Sequence, residues 1–227
     1  MKYKYQFHTH LSPCSKCSPM TANELVESLV AGGFKGCVLT NHFYGGNTGI
    51  NRDLPWEEFV RQYEENYHEC KKIADEFDLD IIFGIEEHLF GGLEILCYGI
   101  TPQFLYDHPE LRENRTLEYW YSALHNFGAL CIQAHPFRDR EYIKEPKLLP
   151  CEYIDGIEVF NACNKPEENQ LALESAQNNP NWILVSGADT HLPKSVCWSG
   201  IETNQRISDN KKLVSILKSR DYRLILE

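Results

Sequence analysis

Two histidines lie two positions apart near the start of the chain, at His8 and His10 in the stretch QFHTH. Alternate residues of a β-strand point to the same face, so both imidazoles would face one side while Thr9 faces the other. Asp189 and His191, in ADTH, repeat this spacing near the other end of the chain. Imidazole and carboxylate groups are ligands for Zn, Mn and Fe. The two pairs therefore indicate metal-dependent chemistry.

Comparable side chains stand at the ends of several short apolar runs. Each run has the length and the apolar composition of a buried β-strand. His42, Glu86 and His135 each follow or close one run. Glu94 precedes its run and would reach the other groups only if that strand runs antiparallel. The seven predicted strands are KYQFH, GCVLTNH, LDIIFGIE, LEILCYGI, GALCIQAH, DGIEVFNA and NWILVSGAD.

Helical patterns alternate with these strands, and the first begins with Thr21 three residues before Glu24, which is a capping-box pattern. Such alternation predicts an α/β fold with a mainly parallel sheet. Chemically active side chains at successive strand ends favour a TIM-like (β/α) barrel over an open doubly wound sheet, because strand ends meet at one rim of a barrel. Helices are expected at 21–31, 55–77, 115–127, 166–178 and 209–219.

Length and composition restrict the class of protein. The 227 residues fit a single domain, 1–227, that needs neither disulfides nor a structural metal to fold. With 22 Lys and Arg against 33 Asp and Glu, the formal net charge of −11 disfavours nucleic acid as a partner. The nine scattered cysteines and the lack of an apolar signal segment predict reduced thiols in a cytoplasmic protein. No apolar run approaches the roughly 18 residues of a membrane span.

Six motifs together resemble the polymerase and histidinol phosphatase (PHP) family of metal-dependent phosphoesterases. They occur in the family's order and span most of the chain. The resemblance implies a distorted seven-stranded (β/α) barrel that hydrolyses a phosphate ester, most simply a small phosphomonoester such as histidinol phosphate or a nucleotide. The motifs are HTH at 8–10, TNH at 40–42, GIE at 84–86, AHPFR at 134–138, DGIEV at 155–159 and SGADTH at 186–191.

The resemblance also implies two or three divalent metal ions, Mn, Zn or Fe, with Glu86 bridging two of them. His191 is either a ligand or a general acid, or serves in both roles. Arg138 or Lys194 is expected to bind a phosphate oxygen, and Arg52 lies in a glycine-rich and asparagine-rich segment, 43–56, that is either a substrate loop or a plain connector. The implied metal ligands are His8, His10, His42, Glu86, Glu94, His135, Asp189 and His191.

Two positions depart from the family's pattern. Glu94 stands where the family often has a histidine, a change of ligand rather than its loss. Ser15 stands where the family usually has an aspartate or histidine ligand. Either Cys14 or Cys17 supplies a thiolate instead, or the third metal position is weak or empty, or both cysteines are ordinary reduced thiols.

Some polar residues are expected to serve the structure. Asp155 and Glu158 belong to a family motif, but we expect them to support the barrel, with Glu158 as a structural carboxylate or a support for a ligand. Four histidines, His68, His88, His108 and His125, lie outside the motifs and are expected on the surface or in the core. Two other functions stay open, namely an amidohydrolase, whose barrel also begins with H-x-H, and a metal-binding regulatory domain without turnover.

Overall fold

The structure is a computed structural model that describes residues 2–89 and 91–226, and its strands form one sheet in the order β7-β6-β5-β4-β3-β2-β1-β8-β9. Among the described residues, no helix is long and apolar enough to cross a membrane. The strands are β1 (Tyr3–Gln6), β2 (Gly36–Leu39), β3 (Asp80–His88), β4 (Glu94–Tyr98), β5 (Leu130–Gln133), β6 (Gly156–Asn161), β7 (Ile183–Gly187), β8 (Ser199–Thr203) and β9 (Tyr222–Leu226).

The two ends of this sheet meet, which gives a nearly closed barrel. A parallel bridge joins Thr9, after β1, to Thr190, after β7. The Thr190 N–H donates to the carbonyl of His8 at 3.2 Å, and the His10 N–H donates to the carbonyl of Thr190 at 3.1 Å. The bridge brings the H-x-H and D-x-H segments side by side, although about 180 residues separate them in the sequence.

The prediction of seven strands is wrong in number, because β8 and β9 extend the sheet beyond β1. All seven predicted strands are present. The strand β8 has the sequence SGIET, in which Ile201 is the one large apolar residue, so its composition does not indicate a strand. It is a strand because β1 and β9 both pair with it in antiparallel register.

The direction of β4 decides the shape of the rim. This strand pairs antiparallel with both β3 and β5, whereas β1, β2 and β3 pair in parallel, as do β5, β6 and β7. The start of β4 therefore lies at the same rim as the end of β3, and Glu94 pairs in register with His88. This is the arrangement that Glu94 requires in order to reach the other polar groups.

The helices agree closely with the prediction. The capping box of the first helix is confirmed. The Glu24 carboxylate accepts from the Thr21 N–H at 2.8 Å, and the Glu24 N–H donates to the Thr21 hydroxyl at 3.3 Å. The short helix α3 was not predicted. The α-helices among the described residues are α1 (Ala22–Ala31), α2 (Trp56–Asp75), α3 (Pro102–Asp107), α4 (Leu117–Phe127), α5 (Pro166–Gln177) and α6 (Asn210–Ser219).

A buried apolar cluster takes side chains from seven strands, β1 to β5, β7 and β8, and from α6. Tyr5, Val38, Ile82 and Leu96 represent the first four strands, and Leu213 represents α6. A barrel filled in this way is a packed core rather than a pore. The predicted ligands therefore converge above this core, at the rim where β1, β2 and β3 end and β4 begins.

Candidate metal centre

Every ligand position implied by the sequence lies at this rim. His8 and His10 follow β1, His42 follows β2, and Glu86 lies near the end of β3. His8 and His10 are fully buried beneath a cavity of about 470 Å³. The cavity is lined by Cys17, His42, Gly45, Gly46, Asn47, Glu86, His88, Glu94, His135, Arg138, Tyr142, Asp189 and His191.

Glu86 is the centre of the cluster. Its Oε1 lies 3.0 Å from His8 Nε2 and 3.2 Å from His135 Nε2. Its Oε2 lies 2.8 Å from His42 Nδ1 and 3.5 Å from His10 Nε2. Each carboxylate oxygen therefore faces a different pair of imidazoles, which is the arrangement that a carboxylate bridging two ions requires.

Two further carboxylates flank Glu86. The Oδ1 of Asp189 lies 3.1 Å from His10 Nε2. On the other side, Glu94 Oε2 lies 3.4 Å from His135 Nε2, and Glu94 Oε1 lies 4.0 Å from His42 Nδ1. The eight predicted ligands thus form overlapping groups of three whose ligand atoms lie within 4.8 Å of one another. These groups are His8, His10 and Glu86; His8, His135 and Asp189; His42, Glu86 and Glu94; and His10, His42 and His191.

Several ligand atoms in this cluster are buried and face one another at short distances without a well-directed hydrogen bond in the described part of the chain. They are His8 Nε2, His10 Nε2, His42 Nδ1 and Glu86 Oε2. Short contacts without well-directed hydrogen bonds leave these buried polar atoms poorly satisfied, which is unfavourable. A divalent cation among them would remove this cost, and the mixed set of imidazoles and carboxylates suits Zn, Mn or Fe.

The electrostatics of the cluster are strongly coupled. Burial opposes a charge on His8, but the carboxylates of Glu86 and Glu158 outweigh it and hold the His8 pKa well above its usual value. Burial likewise opposes a charge on Glu86, yet the imidazoles of His8 and His42 hold its pKa well below the usual range. A metal ion would take the place of the imidazole protons, because a ligating imidazole is neutral.

Glu158 supports the cluster from behind, as the sequence led us to expect. Its Oε1 lies 3.0 Å from His8 Nδ1. Its Oε2 accepts from the His135 N–H at 3.0 Å and from Asn161 Nδ2 at 2.9 Å. A carboxylate on one ring nitrogen fixes the imidazole tautomer and leaves the other nitrogen, here His8 Nε2, directed at the cluster. Asp155 lies elsewhere, where it accepts from the Cys131 N–H at 2.8 Å.

Ser15, at the position of the usual acidic ligand, orients an imidazole. Its hydroxyl lies 3.1 Å from His10 Nδ1, donates to Asn41 Oδ1 at 3.1 Å, and accepts from the His42 N–H at 3.0 Å. Because the hydroxyl proton goes to Asn41, Ser15 accepts the Nδ1 proton of His10. The Nε2 of His10 is then an acceptor that faces Asp189 and Glu86.

The two nearby cysteines have different environments. Cys14 is fully buried, and its Sγ lies 3.8 Å from the carbonyl of Gln62, away from the cavity. Cys17 lines the cavity, with its Sγ 3.0 Å from His191 Nε2. Burial raises the pKa of Cys17, but hydrogen bonds to His191 and His42 outweigh it and lower the pKa to about 6.

Arg138 lines the cavity, whereas the other two cations predicted to bind substrate do not. Its Nη1 donates to Asp189 Oδ2 at 2.5 Å, and its Nε donates to Asn164 Oδ1 at 2.8 Å. Lys194 is exposed and outside the cavity. Arg52 is also exposed, and it donates to the carbonyls of Tyr44 and Gly46. Neither side chain lines the cavity, because Arg52 is hydrogen-bonded to its own loop and Lys194 is exposed, so their contact with substrate stays a prediction.

Sequence reasoning missed two residues of the cavity wall, His88 and Tyr142. His88 lies two residues beyond Glu86 in β3, so both side chains point to the same face. Its Nδ1 lies 3.4 Å from Glu94 Oε1. The expectation that His88 has an ordinary surface or core position is wrong, and its spacing from Glu86 was the available signal. The other three histidines, His68, His108 and His125, do not line the cavity.

The segment that follows His42 contributes backbone to the cavity. Gly45, Gly46 and Asn47 line it. The Gly45 N–H donates to both carboxylate oxygens of Glu87 at 3.0 Å, which anchors the segment to β3. Burial raises the Glu87 pKa to about 7 against the effect of that N–H. The position of this segment at the cavity favours a role in substrate binding over a plain connector.

Comparisons with solved structures find the same fold. The chain is similar to a Bacteroides vulgatus two-domain protein that contains a predicted PHP-like metal-dependent phosphoesterase, with a TM-score of 0.73 and 16% identity. The alignment covers 100% of this chain and 65% of the Bacteroides chain. No family profile matches the chain, and a search of curated proteins gives no match.

Two other neighbours have different activities. One is a lesion-specific endonuclease from Pyrococcus furiosus, with a TM-score of 0.71, 15% identity and coverage of 99% of this chain and 58% of that one. The other is an amidohydrolase from Chromobacterium violaceum, with a TM-score of 0.59, 14% identity and coverage of 94% and 96%. At these identities the likeness defines the class of fold, and the endonuclease shows that this fold does not exclude nucleic acid as a substrate.

Proposed function

We propose that the chain is a metal-dependent phosphoesterase of the PHP family, formed by one domain, 1–227, of a cytoplasmic protein. The observation that carries the proposal is the convergence of eight histidine and carboxylate side chains around Glu86 in four overlapping ligand groups. The six ordered sequence motifs and the PHP-like structural neighbour support it. The nine cysteines, all free in the structure, support a reducing compartment.

Two or three divalent ions of Mn, Zn or Fe would be held by these groups. When bound, closely spaced divalent ions polarise the phosphate oxygens and lower the pKa of a water molecule, which supplies the nucleophile for hydrolysis. Glu86 would contribute one oxygen to each of two positions, because its two oxygens face different imidazole pairs. Glu158 and Ser15 keep His8 and His10 in the tautomers that ligation requires.

The remaining polar groups of the wall would act on the substrate. Arg138 is buried against Asp189, so it brings a fixed positive charge to the cavity and holds Asp189 in place. A planar guanidinium suits a phosphate oxygen near that wall. His191 is the most exposed of the predicted imidazole ligands, with a side chain 27% exposed. We propose that it either holds an ion or gives a proton to the leaving oxygen.

The cavity favours a small substrate. Its volume of about 470 Å³ lies within the roughly 300–1,000 Å³ of sites for small molecules. A phosphomonoester such as histidinol phosphate or a nucleotide is therefore our first choice. A phosphodiester, including one in nucleic acid, is the second choice, because the endonuclease neighbour has the same fold.

The amidohydrolase alternative has one supporting observation, the similarity to the Chromobacterium structure. That class usually presents a modified lysine at the end of a middle strand. Here Glu86 occupies the end of β3, and none of the described residues that line the cavity is a lysine. The site therefore favours the phosphoesterase.

The test measures phosphate release from a panel of phosphomonoesters. It also measures cleavage of a bis-aryl phosphodiester and of a series of amides. The metal-free protein is compared with protein loaded with Mn²⁺, Zn²⁺ or Fe²⁺. Asp189→Asn and His135→Ala should abolish turnover, and His68→Ala, an exposed histidine of α2, should not change it. Activity on amides alone would identify an amidohydrolase, and a protein that binds metal without any turnover would be a regulatory domain.

A further inference from the structure

The segment between His10 and Met20 holds one sulfur atom at the mouth of the cavity. Ser18 fixes it on one side, with its hydroxyl 2.9 Å from the carbonyl of His10 and 3.3 Å from the carbonyl of His191. The Lys16 N–H donates to the carbonyl of Asn47 at 2.9 Å on the other side. Cys17 stands between these anchors, so its position is set by the same elements that carry His42 and His191.

A stack of three imidazoles lies beside this position and reaches it through His191. The ring of His10 stacks on the ring of His42 with a centroid distance of 4.3 Å and on the ring of His191 at 4.5 Å. One ligand atom of each lies within 4.8 Å of the others. The Nε2 of His10 lies 3.1 Å from Asp189 Oδ1, and the Nδ1 of His42 lies 2.8 Å from Glu86 Oε2, so these two nitrogens face the carboxylates of the cluster. At the other end of the stack, His191 Nε2 faces the Cys17 Sγ, so a sulfur and imidazole nitrogens come together at this position.

The distance from sulfur to nitrogen fits ligation of one ion by both atoms. Tetrahedral zinc has Zn–S of about 2.3 Å and Zn–N of about 2.0–2.1 Å, which places S and N roughly 3.5 Å apart. The Cys17 Sγ lies 3.0 Å from His191 Nε2. The exposed Cys17 side chain needs a movement of only about half an ångström to reach that separation.

We propose that Cys17 is a thiolate ligand which, with His42 and His191, holds one divalent ion at the mouth of the cavity. This inference rests on the proposed function and names the ligand that replaces the missing acidic group, since Ser15 is occupied with His10 and Asn41. Thiolate is a soft ligand, whereas carboxylate suits Mn²⁺ and Mg²⁺. The position therefore selects Zn²⁺ or Fe²⁺, unlike the positions around Glu86, whose ligands are imidazole and carboxylate.

The test uses Co²⁺ as a spectroscopic probe, because a bound thiolate gives a sulfur-to-cobalt charge-transfer band in the near ultraviolet. The metal-free 227-residue chain is titrated with Co²⁺ as wild type, Cys17→Ser, Cys17→Asp and Cys151→Ser. Cys151 is a matched control, since it is exposed and does not line the cavity. We expect the band in wild type and Cys151→Ser and its loss in both Cys17 variants.

Metal content and affinity supply a second readout. In Cys17→Ser, the Kd of the most weakly bound Zn²⁺ should rise at least roughly tenfold. Loss of a residue that supports a metal site typically lowers metal affinity by about 10–100-fold. Cys17→Asp should keep the ion and prefer Mn²⁺ more than wild type does. No band in the wild type, or an unchanged band in Cys17→Ser, overturns the inference and leaves Cys17 as a hydrogen-bond partner of His191.

These readouts do not depend on turnover. A protein that shows the band but hydrolyses no phosphate ester supports the thiolate ligand and contradicts the proposed function. A protein that hydrolyses phosphate esters without the band supports the proposed function and contradicts the thiolate ligand.

Discussion

His88 and Glu94 stand opposite each other in the antiparallel register of β3 and β4, with His88 Nδ1 3.4 Å from Glu94 Oε1. Glu94 in turn lies 3.4 Å from His135 Nε2. His88 is therefore linked through Glu94 to the cluster around Glu86, and it also faces the cavity.

We expect His88→Ala to lower kcat/KM by roughly tenfold, because loss of a group that orients a ligand typically costs about 10–100-fold. Glu94→Ala should cost more, since it removes a predicted ligand itself and leaves His88 without its partner. Steady-state kinetics at saturating metal would measure both effects. His68→Ala is the matched control on an exposed helix face. Wild-type kinetics in His88→Ala would show that the pair does not orient Glu94.

Removal of the Glu158 carboxylate should weaken metal binding. Glu158→Ala leaves His8 Nδ1, the His135 N–H and Asn161 Nδ2 without this acceptor. We expect metal affinity to fall about 10–100-fold and the free energy of unfolding to fall by about 1–3 kcal/mol. Competition with a chelator and chemical denaturation measure the two quantities. Glu158→Gln keeps an acceptor oxygen and should have smaller effects; equal effects would argue that the charge matters more than the hydrogen bonds.

Bound metal ions should stabilise the fold in addition to supporting catalysis. An ion present at about 100 times its Kd adds ~2.7 kcal/mol to the free energy of unfolding. In a chain of this size each kcal/mol raises Tm by about 2–4 °C, so the expected rise is roughly 5–11 °C. Thermal unfolding of metal-free protein with added Zn²⁺ or Mn²⁺ gives this shift, and Glu86→Ala should abolish most of it. An unchanged Tm in wild type would contradict a preformed metal centre.

Glu168 should make stability depend on acidic pH. Burial raises its pKa, but N–H groups of Asp139 and Lys165 and the Arg140 guanidinium outweigh it and lower the pKa. The stabilisation is complete above the ordinary glutamate pKa of about 4.3 and is lost as pH falls through the lower folded-state pKa. The urea midpoint of wild type should therefore exceed that of Glu168→Gln at neutral pH and approach it in acid.

The matched control for this measurement is Glu174→Gln. Glu174 lies in the same helix, α5, where it is exposed and accepts from Gln170 at 2.8 Å. This variant should follow the wild-type pH dependence. A constant difference between wild type and Glu168→Gln at all pH values would show that Glu168 acts through packing rather than through its charge.

Local sequence patterns were sufficient for much of the fold. The strands β1 to β7 follow from short apolar runs, and α1 follows from the capping box of Thr21 and Glu24, because these signals depend only on neighbouring residues. The period of two also placed His8 and His10 on one face. Their position at strand ends predicted that they would lie near His42, Glu86, His135 and Asp189, which they do.

Long-range packing decided the rest of the site. Glu94 joins the cluster because β4 runs antiparallel, and a strand's direction depends on its partners rather than on its own residues. Cys17 lines the cavity while Cys14 is buried elsewhere, although both lie in one short segment. Arg52 lies outside the cavity because its side chain bonds to carbonyls of its own loop, and Lys194 is exposed outside it. Contacts between residues far apart in sequence depend on the closed barrel, which no local pattern encodes.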